Sequence, residues 1–209
     1  MIDRHQQPVE RVKYGLPYLL LHSKTLPTLP TLPLLCHPGS DCSALRTITV
    51  SARFTGDGTL LLNYRLSGEI AGIRLPAEQP STAADNLWQH TCCEAFVAPG
   101  DAREYREFNF SPSGLWAAYR FNDYRQRDND FTPTATPRLS QLRHAAGFEL
   151  DAALPPALLP EGDTLSLGLS AVIEATDGSK TYWALAHAAA QADFHLRQSF
   201  TLTLKRNTP

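Results

Sequence analysis

The stretch EYREFNFSPSGLWAAYRF, Glu104 to Phe121, holds two alternating runs on either side of a Ser-Pro-Ser-Gly turn. A period of two sends successive side chains to opposite faces of a strand, so the stretch reads as a β-hairpin. One face collects Phe108, Phe110, Leu115, Ala117 and Tyr119, an ordinary core face. The other collects Tyr105, Glu107, Asn109, Trp116 and Arg120. Two large aromatics beside a carboxylate, an amide and a guanidinium suit a binding surface. The hairpin register decides which residues share that surface. With Pro112 and Ser113 at the centre of the turn, Phe110 faces Leu115 and Asn109 faces Trp116. With Gly114 in a bulge after a type I turn, the pairing slips by one and Trp116 moves to the core side. The first register is preferred, because the slip would bury Arg120 and Asn122.

The same period extends through the rest of the chain. ALRTITVSARF and TLLLNYRL flank Gly56-Asp57-Gly58, a turn whose residues tolerate positive φ. Further strands are expected over 88–97, 104–111, 115–124, 138–144, 148–152, 164–174, 180–187 and 199–204. ALPPALLP, by contrast, allows one helical turn at most. About ten short strands with no amphipathic helical window argue for an all-β fold, an antiparallel β-sandwich of immunoglobulin or jelly-roll type. Upstream, TLPTLPTLPLL repeats proline every three residues, which favours an extended polyproline II segment. Residues 1–33 are therefore expected to form an arm and residues 34–206 the domain.

Composition narrows the function classes. A chain of 209 residues, 43% of them hydrophobic, can bury one sizeable core. Nineteen basic against twenty-one acidic residues, a net charge of −2, give no field that would favour nucleic acid or an anionic membrane. The N-terminal MIDRHQQPVERVKYG is polar and mixed in charge, unlike a secretory signal. The apolar patch that follows is broken by prolines at 17, 27, 30 and 33 and makes no membrane helix. A soluble, cytoplasmic protein is expected, with Cys36, Cys42, Cys92 and Cys93 reduced. Their spacings, with His37, match no closed zinc motif.

Trp88 and Glu94 stand six residues apart on one expected strand, so both side chains would leave the same face, together with His90 and Cys92. Glu107 and Asn109 would bring a second carboxylate and an amide from the adjoining strand. Glu94 with Glu107 is the one carboxylate pair that could serve acid–base chemistry. No Gly-rich phosphate loop, nucleophile elbow or zincin motif accompanies it, so a non-catalytic binding protein is expected.

Three stretches carry a family resemblance: LLCHPGSDCSALRTI (Leu34–Ile48), LWQHTCCEAFVAPGDAREYREFNFSPSGLWAAYRF (Leu87–Phe121) and AHAAAQADFHLRQSFTLTL (Ala186–Leu204). Together they resemble the bacterial DOMON-like proteins related to family 9 carbohydrate-binding modules. The resemblance implies a β-sandwich that holds a small saccharide or polyol between two aromatic walls. Trp88 then matches the first wall, Glu94 the nearby acceptor, and Glu107 and Asn109 the polar floor. The second wall falls at Phe194 and His195, where the family carries tryptophan. The sugar-binding relatives also imply a structural calcium, for which Asp123, Asp128, Asn129 and Asp130 offer hard oxygen ligands. DOMON electron-transfer modules imply haem, which here would need two of His90, His144, His187 and His195, since the one methionine is Met1. The remaining alternative is a scaffold or interaction protein that keeps the fold without the site.

Overall fold

The computed structural model describes residues 30–43, 45–144 and 146–206. Most of the expected arm, residues 1–29, lies outside them. Leu32 and Pro33, its last residues, open the first strand, β1 (Leu32–Cys36). One layer consists of β1, β2 (Leu45–Phe54), β3 (Leu60–Gly68), β9 (Gly147–Leu154) and β8 (Arg138–His144), hydrogen-bonded in that order. The other layer runs β7 (Gln126–Arg127), β6 (Trp116–Asp123), β5 (Tyr105–Phe110), β4 (Cys92–Pro99), β10 (Thr164–Glu174), β11 (Lys180–Ala184). Strand β12 (Leu202–Lys205) pairs with the first half of β10. All named pairs are antiparallel. β1 joins the layers, because Leu32–Leu34 pair with β2 and Leu35–Cys36 pair with β11.

The expected β-sandwich is thus the observed fold. Its core lies between the layers, where Ile48, Val50, Leu62, Tyr64 and Leu150 meet Ala95, Val97, Phe108, Phe110 and Leu167. Tyr64 is fully buried, and its hydroxyl donates to the Glu94 carbonyl at 2.7 Å, so its one polar atom is satisfied across the layers. Among the described residues no helix is long and apolar enough to cross a membrane.

Three expectations are corrected. The β5–β6 hairpin adopts the slipped register, with Phe110 opposite Trp116 and Asn109 opposite Ala117. Gly114 takes φ +96° and its N–H closes the turn onto the Ser111 carbonyl at 3.0 Å, the bulged geometry that only glycine adopts without strain. Trp116 therefore joins the core. Arg120 is not buried by this, because β6 runs past the edge of the core. There its guanidinium stacks on Phe131 and pairs with Asp128.

The second correction concerns Trp88, which is not on a strand with Glu94. β4 begins at Cys92, and Trp88 sits on a 3-10 turn, Leu87–Gln89. Asn86, at φ 61°, turns the chain out of extended geometry, a conformation asparagine tolerates better than most residues. The third concerns the thiols. Cys36 and Cys42 form a disulfide, while Cys92 and Cys93 are free and buried. The Ser40 N–H bond to the His37 carbonyl folds the intervening loop and brings the two Cα atoms to 6.4 Å, a separation that a disulfide spans. A compartment argument carries no such local information.

Candidate functional site

The face of the β4–β5–β6–β10–β11 layer that points away from the core is also buried. Cys92, Glu94, Phe96, Tyr105, Glu107, Asn109, Ala117 and Tyr119 alternate onto it, each under 10% exposed. Two segments cover it. The first, around Ala83–His90, runs beside β6 through a bridge between Ala83 and Trp116, and the Tyr119 hydroxyl donates to Asp85 at 2.8 Å. Buried Leu87 anchors its 3-10 turn and leaves Trp88 half exposed, at 49%.

The second covering segment, residues 186–200, crosses the layer from β11 back to β12. The His187 imidazole donates to the Leu35 carbonyl at 2.9 Å, and Arg197 donates to the carbonyls of Gly100 and Ala102. Phe200 sits so close to β10 that a Cβ at Gly168 would come within 2.8 Å of its ring. Asp193 accepts from the Tyr124 hydroxyl and from the Arg125 guanidinium, the latter at 2.9 Å.

Between these segments lies a cavity of about 560 Å³. Its volume falls within the roughly 300–1,000 Å³ of small-molecule sites. The structure brings five of the six residues singled out in the sequence to its lining: Trp88, Glu94, Glu107, Phe194 and His195. Asn109 is not on the lining. It is fully buried beneath it and donates to Glu107 Oε1 at 2.7 Å, so it fixes the carboxyl group from behind. Sequence reasoning missed Tyr119, Phe121, Tyr182, Arg125 and Arg127, which also line it. The slipped register would have found the first two, and alternation along β11 would have found Tyr182. Nothing in the sequence pattern marks the two arginines.

The floor is made of carboxyl groups that, among the described residues, no arginine or lysine contacts directly. Glu94 is 97% buried, with the Ser170 hydroxyl donating to Oε2 at 3.4 Å. Among the described residues no donor reaches its other oxygen. Burial, and then the nearby Glu107, push the Glu94 pKa well above the ordinary carboxylate range. Burial likewise pushes Glu107 up to about 7, against the Asn109 hydrogen bond and the fields of Arg125 and Arg127. His195 Nε2 lies 3.8 Å from Glu107 Oε2. On its other side Nδ1 meets the Tyr105 hydroxyl at 2.8 Å, and that hydroxyl already accepts the Arg125 N–H. The phenolic proton, held by burial with a pKa of about 12, therefore goes to Nδ1, which leaves Nε2 carrying hydrogen. Burial and Arg125 lower the His195 pKa to about 4, so the ring is a neutral donor.

The other proposed ligand sets fare differently. The Asp128 carboxylate accepts from Arg120 and from the Asp130 N–H, while Asp123 accepts from Arg103 and the Tyr124 N–H. These oxygens are committed to guanidinium and backbone, and the described residues hold no cluster of three metal-ligating side chains. The loop does not fit calcium. Of the histidines weighed for haem, His90 bonds Glu174 at 2.7 Å, His187 bonds Leu35, His195 bonds Tyr105, and His144 lies exposed at the end of β8.

No family model matches the chain, and no curated protein matches it. Solved structures do. A Bacteroides uniformis protein assigned provisionally to carbohydrate binding superposes with a TM-score of 0.57 at 18% identity, over 85% of this chain and 86% of that one. A family 9 carbohydrate-binding module from Caldicellulosiruptor kristjanssonii, solved with cellotriose, superposes with a TM-score of 0.51 at 9% identity, over 85% and 82% of the two chains. The chain has the fold of the family 9 carbohydrate-binding modules, as the sequence resemblance implied.

Proposed function

We propose that this protein binds a small saccharide or polyol in the cavity above β4 and β5 and does not transform it. The observation that carries the reading is the pairing of a half-exposed tryptophan with buried hydrogen-bonding groups in one concave site. Trp88 offers a π-face on which the axial C–H groups of a sugar ring pack. Glu94, Glu107 and the His195 Nε2–H offer acceptors and a donor for the hydroxyls, which need partners once water is excluded. Phe194 and Tyr182, whose ring centroids are 6.3 Å apart, supply the opposing aromatic surface. The fold shared with carbohydrate-binding modules supports the same reading.

Few atoms and the lost hydration of hydroxyls keep such binding modest, on the order of 4–7 kcal/mol. A calorimetric screen of mono- and disaccharides is therefore expected to find a ligand between micromolar and millimolar. Glu94→Gln should weaken that ligand by about 1–3 kcal/mol. If no saccharide bound to folded protein, the reading would fail and the scaffold role would take its place.

A further inference from the structure

The charges around the cavity are unevenly partnered. Arg125 lies 2.9 Å from Asp193. Arg127 lies 3.6 Å from Asp85, and its guanidinium covers the Tyr119 ring at 4.1 Å from the centroid. Glu174, at the far end of β10, takes Arg74 at 2.9 Å and His90 at 2.7 Å. The two carboxyl groups at the floor are the exception. Glu94 is offered one hydroxyl, Glu107 one amide, and the nearby imidazole is neutral. Both are under 6% exposed, and both face the cavity from adjoining strands, where Glu94 pairs with Asn109 and Phe96 with Glu107. Ionised together, they repel each other in a poorly solvated place, and each forces the other toward neutrality. A neutral saccharide leaves that repulsion in place. A cation between them removes it.

Resting on the saccharide reading of this cavity, we propose that the preferred ligand is an amino sugar whose ammonium group sits between Glu94 and Glu107. An ammonium carries three donors, enough for both carboxylates and a further acceptor, and each bond is charge-assisted. The rest of the ring is left to Trp88, Phe194 and the His195 Nε2–H. A cation between the carboxyl groups favours their ionised forms, and Glu107, with a pKa of about 7, holds its proton at mildly acidic pH in the free protein, so binding expels a proton from the floor to solvent. That release distinguishes an ammonium between the carboxyl groups from one that only touches the rim.

Calorimetric titrations of glucose, glucosamine and N-acetylglucosamine, with the corresponding galactose series, test this at a mildly acidic pH that keeps the amine charged. The amino sugar of one series should bind about tenfold tighter than its neutral parent, or better, and the N-acetyl form should lose that gain. Titrations in two buffers of different ionisation enthalpy should report net proton release with the amino sugar and none with the parent. Glu107→Gln should lower amino-sugar affinity by a larger factor than parent affinity. A neutral parent that binds as tightly as its amine would overturn the amino-sugar inference and leave the saccharide reading intact. Failure of every saccharide to bind would overturn both.

Discussion

Strands β4 and β5 present two faces that are equally buried and chemically opposite. Toward the other layer they turn Cys93, Ala95, Val97, Phe108 and Phe110, each at most 1% exposed. Away from it they turn Cys92, Glu94, Phe96, Tyr105, Glu107 and Asn109, none above 5%. Burial alone does not separate core from site. The inner face is covered by another sheet, whose apolar side chains interlock with it. The outer face is covered by two irregular segments that leave a cavity, and it holds carboxyl groups that a stability-only selection would replace.

The largest expected effect falls on the inner face. Phe110→Ala deletes a fully buried ring from the core and should cost about 3–5 kcal/mol of unfolding free energy, read from urea denaturation. On the outer face the sign reverses and depends on pH. The folded pKa of Glu107, about 7, stands above its ordinary value of 4.5. Below pH 4.5 both states hold the proton. Between 4.5 and 7 the unfolded chain ionises while the fold keeps its proton, so stability falls as pH rises; above 7 the loss is complete. Glu107→Gln lacks this penalty. The stability of wild type relative to Glu107→Gln should therefore drop by about 3 kcal/mol between pH 4.5 and 8. A pH-independent difference would mean that Glu107 is solvated in the folded protein.

A smaller effect sharpens the contrast between the two coverings. The Cys36–Cys42 loop braces segment 186–200, since the His37 imidazole meets the Ala189 carbonyl at 3.4 Å and the His37 N–H donates to the Tyr182 carbonyl at 2.8 Å. Replacing both cysteines by serine opens a short loop and should cost about 2 kcal/mol. It should also weaken ligand binding, because the brace holds Tyr182 and the start of the segment that carries Phe194 and His195. The smallest effect is expected at Trp88, where a half-exposed ring covers little core. Trp88→Ala should change stability by less than about 1 kcal/mol while abolishing saccharide binding. Unfolding of that variant would move Trp88 into the core and remove the platform.

The all-β fold was legible because strands leave a period of two, and 138–144 and 164–174 coincide with β8 and β10 to the residue. The site was legible in its chemistry more than in its geometry. Trp88 and Glu94 do meet at one cavity, yet by a 3-10 turn and a strand, not by six residues of alternation. The hairpin register turned on the positive φ of Gly114, which competes with a Pro-Ser turn of nearly equal local preference. Segment 186–200 has neither helical nor strand period. Its path over the sheet depends on distant partners such as Tyr105, Arg125 and Gly100, so spacing could not reveal that Phe194 faces Tyr182.

The central claim is that a saccharide rests on Trp88 above the buried carboxyl pair, and tryptophan fluorescence reads it directly. Of the three tryptophans, Trp88 is 49% exposed, whereas Trp116 and Trp183 are 6% and 5% exposed. A polar collisional quencher should reach Trp88 and spare the other two. Saturation with a saccharide that calorimetry shows to bind should reduce the quenchable emission to the level of Trp88→Phe. Quenching unchanged by the bound saccharide would place the ligand elsewhere and contradict the account.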